Sequence, residues 1–332
     1  MATIYDIAKE AGVSIATVSK VINQTGRISD KTRKRVQDVM KRIDYQPSVV
    51  ASALTKKRTY TLGLLIPDIA NPFFAEVARS IEDHAQLMGY SLVICSTDND
   101  PSKEERYVNV LRQKSADGIM IATGDRNDAL MKQLLKLKVP IAVIAREMPA
   151  LAVDTVLVDD YLGGYLAASH LIELGHRSIA AIAEDLSVMS SRERVRGYRQ
   201  ALEEHGIAFD ESLVAVSPFH VEGGKKTALN LLGRPNPPSA VFACNDLLAI
   251  GVVQAARERG LSVPRDLSVV GFDNTIIATI IDPPLTTVAQ PVQEMGSQIV
   301  QLISQEIDGN KSSKQRIVLL PELVVRGSTS AV

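Results

Sequence analysis

The chain has 332 residues, 45% of them apolar and 23% charged, with a net charge of −1. That length holds roughly two globular domains plus a small extra unit, and the apolar fraction excludes wholesale disorder. The two cysteines cannot build a disulfide framework, the scattered histidines lack metal-ligand spacing, and no apolar run reaches the ~18 residues of a membrane span. Residues 1–10 mix charged and apolar side chains without the pattern of a signal peptide, so a reducing, cytoplasmic setting is the expectation.

The near-zero net charge hides an asymmetry. Residues 1–60 carry 12 Lys/Arg against 5 Asp/Glu, whereas the remainder carries 25 against 33. A small basic head on an acidic body suggests that the head meets a polyanion. Thr3 with Asp6 forms a capping-box signature, and Ile4, Ile7, Ala8 and Ala11 make one apolar helical face. Gly12 ends that helix, and Ser14 caps a second after a short turn. Val18, Val21 and Ile22 share one face of the second helix. Its other face bears Ala16, Ser19, Lys20 and Asn23, with no acid. A third helix starts near Ser29, with Val36, Val39, Met40 and Ile43 as its stripe. Two short helices about a glycine turn, completed by a third, make a helix-turn-helix whose second helix enters the major groove. A plain three-helix cap does not explain an acid-free face beside Lys31, Arg33, Lys34 and Arg35. Pro47 stops the third helix, and a stretch of small residues then runs through Leu54 to Lys56-Lys57-Arg58, a linker expected to order on binding.

From residue 60 short apolar runs alternate with amphipathic stretches. Strands are expected at 61–66, 91–96, 118–123 and 140–144, then near 178–183, 212–217, 239–244 and 267–272. Helices fall at about 72–88, 103–115 and 126–137. This alternation implies parallel, doubly wound α/β sheets with ligands at the carboxyl ends of the strands.

The head run from Ile4 to Asn23, IYDIAKEAGVSIATVSKVIN, resembles that of the LacI/GalR family of bacterial transcription regulators. The body agrees through Asn71-Pro72-Phe73-Phe74, Arg194-Val195-Arg196-Gly197-Tyr198, Asn245-Asp246, Gly271-Phe272-Asp273-Asn274 and Thr286-Thr287-Val288-Ala289-Gln290-Pro291. Runs such as Thr25-Gly26-Arg27-Ile28-Ser29-Asp30 look closest to the DegA-type branch. The resemblance implies a small all-α helix-turn-helix head (1–46), a hinge (47–59) and a two-lobed, periplasmic-binding-protein-like α/β body (60–332). One lobe would comprise about 60–160 and 291–320, the other about 161–290 and 321–332. It further implies that Ile15, Ala16 and Lys20 read base edges, that Ser14, Thr17, Ser19 and Asn23 sit at phosphates with Tyr5 and Thr32 beside them, and that Leu54 wedges into the minor groove. Ser48 and Ser52 depart from the family habit in the hinge.

The expected partners are near-palindromic double-stranded operator DNA, a second copy of the chain, and a small effector: a sugar, sugar acid or sugar phosphate. No membrane, metal, cofactor or enzymatic activity is expected. Phe73, Phe74, Arg146, Arg194, Asn245, Asp273 and Gln290 are the candidate effector residues. Asp273 can accept hydroxyl protons, Arg194 can fork onto adjacent oxygens, Asn245 and Gln290 can do both, and a phenylalanine can stack on a sugar's C–H face. Helix capping competes for Asp273 and Asn245, and core packing for the Phe pair. Ala145-Arg146 stands where ribose-type relatives carry Asp-Arg. With Asp273 as the only acid placed in the cleft, two guanidiniums would leave surplus positive charge and favour an anionic effector. Gly223-Gly224-Lys225-Lys226-Thr227 is no phosphate loop, because Phe219 occupies the required glycine position. A sugar-transport receptor and a regulator controlled by a protein co-repressor are the alternatives. The first is opposed by the head, the second by the lack of a basic residue in Val300-Gln301-Leu302-Ile303.

Overall fold

The computed structural model describes residues 2–22, 25–45, 58–123, 127, 130, 133–134, 136, 138–148 and 152–332. The chain divides into two compact units after Thr61. In the head, α1 (Ile4–Ala11), α2 (Ile15–Ile22) and α3 (Asp30–Arg42) bury Ile7, Ala11, Val18, Val21, Val36 and Val39 together. The Thr3–Asp6 capping box is formed in both directions, and Gly12 closes α1 at φ 62°, a left-handed conformation that costs glycine nothing.

The body holds two six-stranded sheets. The first contains β1 (Thr61–Ile66), β2 (Ser91–Ser96), β3 (Gly118–Ile121), β4 (Ile141–Ile144), β5 (Asp154–Val158) and β11 (Arg316–Leu319), in the order β11-β5-β4-β3-β1-β2. All of its neighbours with recorded register run parallel. Helices α4 (Pro72–Leu87), α5 (Pro101–Gln113) and α11 (Val292–Ile307) accompany it. The second sheet has β6 (Ile179–Ala183), β7 (Val214–Val216), β8 (Ala240–Ala243), β9 (Ser268–Asp273), β10 (Thr286–Ala289) and β12 (Glu322–Val324), in the order β12-β10-β9-β8-β6-β7. Only β12 is antiparallel, pairing Val288 with Leu323. Its helices are α6 (Asp160–Glu173), α7 (Met189–Glu204), α8 (Val221–Leu232), α9 (Asp246–Glu258) and the short α10 (Ile276–Ile280). The chain thus passes from one lobe to the other after β5, after β10 and after β11. The strand ends of both lobes converge on one cleft.

Strand β5 lies inside the sheet, between β11 and β4, and is fully buried, yet the alternation reading passed over it. Its first residue is an aspartate, and a charged start disguises a strand. Asp154 is 0% exposed and is neutralised by Lys311 at 2.5 Å and by the Gln315 N–H at 2.8 Å. The expected helix at 126–137 lies partly outside the described residues.

Two glycine pairs set the helix packing of the second lobe. A Cβ on Gly164 would lie 2.0 Å from the Arg194 carbonyl, and one on Gly197 would lie 1.9 Å from the Tyr161 carbonyl, so α6 and α7 touch backbone to backbone. Gly224 and Gly251 do the same for α8 and α9. The Gly-Gly that fails as a phosphate loop is therefore a packing device. Among the described residues no helix is long and apolar enough to cross a membrane, and no His/Cys/Asp/Glu group could hold a metal ion.

Candidate functional site

On the head, α2 turns Val18 and Val21 inward and leaves Ser14, Ile15, Ala16 and Lys20 exposed, with Thr17 and Ser19 half-buried. Ile15 is 42% exposed, an apolar side chain presented to solvent beside Ala16. Thr17 N–H donates to Ser14 Oγ at 3.2 Å and Thr32 N–H to Ser29 Oγ at 3.3 Å. In each pair the two hydroxyls also meet, at 2.9 Å. Ser14 and Thr32 therefore belong to matched caps at the N-termini of α2 and α3, where the helix dipole favours an anion. Tyr5 is exposed. The stem of Lys20 runs past Gly26, where a Cβ would come within 3.3 Å of it. Asn23 and Leu54 lie outside the described residues.

In the body all the candidate effector residues line one cleft, whose interior space is about 40 Å³. Arg194 anchors it. Its Nε donates to Asp160 at 2.7 Å and its Nη1 to the Cys244 carbonyl at 2.5 Å, while Asp273 lies 3.9 Å away and the Phe272 ring stacks under the guanidinium at 3.6 Å. The close α6–α7 crossing brings Asp160 and Arg194 together. Asp273, at the end of β9, accepts from Gln290 Nε2 at 2.7 Å and holds φ at 111°, strained for any residue with a side chain. Burial, against the opposing pull of Arg194 and with Asp246 adding repulsion, pushes its carboxyl well above the ordinary value. Asp246 lies behind it, held by Thr287 Oγ1 at 2.7 Å and by Thr275, and burial pushes it up to about 6. Burial likewise takes the Cys244 thiol up to about 12, so it is inert and offers its carbonyl instead.

Asn245 is indeed a helix cap, its Oδ1 accepting from Leu248 N–H at 2.7 Å at the start of α9, and the same geometry places it on the cleft wall. Asp273 caps no helix among the described residues. Phe73 and Phe74 pack edge to face at 5.1 Å; both belong to the core of the first lobe and both line the cleft. Arg146 is 8% exposed and donates from Nε to the Ala122 carbonyl at 3.1 Å, next to Ala145 at φ 56°.

The charge argument from the sequence is overturned. Asp273 is not the only acid of the cleft: Asp160 and Glu184 also line it, opposite Arg146 and Arg194. Asp160 escaped notice because it reads as a first-turn helix acid, and its role depends on a crossing invisible in local sequence. Glu147, next to Arg146 in the chain, pairs with Arg316 at 2.7 Å. Phe219 was also missed. It follows β7, packs against the core of the other lobe and adds a third aromatic side chain to the wall.

Residues 3–48 match the bacterial regulatory proteins of the lacI family, and residues 168–329 match a periplasmic binding protein-like domain. The chain is 52% identical to the transcriptional regulator DegA of Bacillus subtilis, covering 99% of this chain and 98% of that protein. Among solved structures, a lac repressor dimer bound to operator and the anti-inducer ONPF superposes with a TM-score of 0.88 at 29% identity, covering 99% of each chain. The regulator CelR in complex with cellobiose matches at 0.77 and 32%, covering 99% of this chain and 100% of that one. These relatives are named as regulators and repressors, not enzymes. The helix-turn-helix head, the two-lobed body and the whole-length identity place the chain in the LacI family of bacterial transcription regulators.

Proposed function

We propose that this protein is an effector-controlled repressor that binds near-palindromic operator DNA as a homodimer and takes a neutral carbohydrate between its lobes. The observation that carries the effector reading is the Asp160–Arg194–Asp273–Gln290 array facing Phe73, Phe74 and Phe219. It carries no surplus of positive charge, its carboxylates and guanidinium suit vicinal hydroxyls, and its aromatic wall suits C–H faces. Three acids against two guanidiniums remove the reason to expect a sugar acid or phosphate. Lobe closure around the ligand would alter the spacing of the two heads and hence operator affinity. Anisotropy titrations of the full chain on an operator duplex, with and without neutral saccharides, test this. Operator affinity unmoved by every saccharide would reject the effector reading.

A protein co-repressor is less well supported. The exposed positions of α11 include Gln293, Glu294 and Gln301, and the helix has no cation to receive a phosphorylated partner.

The dimer reading is supported by two exposed apolar groups, Leu87 with Met88 and Ile94 on the first lobe and Ile276 with Ile280 on the second. Leu87 is 84% and Ile280 73% exposed, so neither is needed to fold the monomer. Leu87→Lys with Ile280→Lys is expected to weaken self-association by about tenfold or more in sedimentation equilibrium, ~1.4 kcal/mol, without lowering the melting temperature.

For the head, operator affinity should fall with salt at a log–log slope of about −0.9 per neutralised phosphate. Lys20→Ala is expected to lose about 1–3 kcal/mol of discrimination between operator and random duplex while affinity for random DNA changes little. An unchanged specificity ratio would show that Lys20 does not read bases.

A further inference from the structure

Beyond Asp273 the chain is held from both lobes. Asp273 and Asn274 take left-handed backbone angles in succession, φ 111° and 57°, a costly pair that persists only where its surroundings hold it. Three of the holds belong to the second lobe itself. Asp246 accepts from the Thr275 N–H at 2.7 Å and from its hydroxyl at 2.9 Å. Arg326 Nη2 donates to Asn274 Oδ1 at 2.5 Å, and Thr287 Oγ1 accepts from the Asn274 N–H at 3.4 Å. The fourth comes from across the cleft. Glu76 Oε1, on α4 of the first lobe, accepts from the Ile276 N–H at 3.0 Å.

Glu76 fills a place that local sequence leaves open. The first N–H groups of a helix have no partner within it, and the residue ahead normally supplies one. Thr275 stands ahead of α10 but turns its hydroxyl to Asp246 and gives the helix no side-chain cap. A carboxylate of the other lobe takes that role, which it can do only while the lobes are together. The inner cleft space of about 40 Å³ is room for about three waters, so a larger ligand enters only when the lobes part and this bond breaks. The holds within the second lobe survive that motion; the one from Glu76 does not. The same short helix presents Ile276 and Ile280, 63% and 73% exposed, on the surface proposed above for self-association.

We infer that Glu76 is a positioning residue of the effector site that acts from the opposite lobe: it latches the loop from Asp273 to Ile276 when the lobes close and frees it when they part. This rests on the lobe-closure reading above and not on the ligand's being a carbohydrate. The test uses the full chain without ligand, as the parent, Glu76→Ala and Glu76→Gln, the glutamine keeping an acceptor oxygen. Hydrogen exchange reads the Ile276 amide. Pulsed EPR reads the separation of the lobes from spin labels on Arg112→Cys in α5 and Lys226→Cys in α8, both exposed positions. Labelled protein is diluted into unlabelled so that only pairs within one chain are seen, and Cys95 and Cys244 are buried away from the label. Glu76→Ala is expected to exchange about fivefold faster at Ile276 and to shift the lobe populations about fivefold toward the longer distance. Glu76→Gln should keep the parent's values with the same melting temperature in all three, which separates a positioning role from a structural one. If either readout stays at the parent's value in Glu76→Ala, or if glutamine behaves like alanine, the inference falls. The saccharide titrations above bear on the carbohydrate reading alone, so the two can fail separately.

Discussion

Asp273→Asn is expected to bind operator DNA like the parent and to lose its effector by tens- to thousands-fold. The estimate comes from the cost of removing one partner of a buried, hydrogen-bonded charge, about 2–5 kcal/mol. Asparagine preserves the shape at the end of β9 and can keep an oxygen toward Gln290 Nε2 and Arg194 Nη1, but it removes the charge and turns the other acceptor into a donor. Arg194→Ala should match it in the cleft, because the guanidinium ties Asp160, the Cys244 carbonyl and Asp273 together. Calorimetry reads the effector and anisotropy the operator. Unchanged effector affinity in both variants would reject the site, and loss of operator binding in both would make the array purely structural. The pH dependence adds an independent readout. The Asp273 carboxyl is raised in the folded protein above its ordinary value of 3.8, so its contribution to stability is complete below that value. It is lost as pH rises through the raised value. A ligand hydroxyl that donates to the carboxylate needs the ionised form, so effector affinity should increase over the same window, with proton release on binding. The Asn variant should lose that proton release.

The head was legible because its information is local. Caps, glycine turn and apolar period all fall within a few residues of one another, and the Thr3–Asp6 box and the α1, α2 and α3 helices follow from them directly. The cleft residues that could be placed from sequence, such as Asp273, Asn245 and Gln290, sit at strand ends, where a parallel sheet delivers side chains whatever its detailed packing. What sequence could not give depends on distant contacts. Asp160 becomes a partner of Arg194 only through the α6–α7 crossing, and Phe219 reaches the other lobe only once the two sheets face each other. Strand β5 stayed hidden because Lys311, 157 residues away along the chain, neutralises Asp154. The error about effector charge followed from the first of these. An acid that local sequence marks only as a helix-start residue is half of the Asp160–Arg194 ion pair in the cleft.

The crossing itself can be tested, and Gly164→Ala is expected to destabilise the body by about 1–3 kcal/mol although alanine is the better helix former. Two effects oppose each other. Replacing a mid-helix glycine by alanine gains roughly 1 kcal/mol of helix propensity. Against that, the new Cβ would stand 2.0 Å from the Arg194 carbonyl oxygen, which is backbone and cannot rotate away. Relief requires α7 to move as a body, and α7 carries Arg194. The same motion lengthens the 2.7 Å contact with Asp160 and shifts the guanidinium off the Phe272 ring, so weaker effector binding should accompany the loss of stability. Gly197→Ala meets the Tyr161 carbonyl at the same crossing and should behave alike. Because both act on one contact, the double variant should cost clearly less than the sum of the two. Denaturant unfolding of the full chain supplies the stabilities, and calorimetry the effector affinities. A gain near 1 kcal/mol in either single variant, the value propensity alone gives, would mean that the helices have slack at the crossing and that Arg194 is positioned by its side-chain bonds alone.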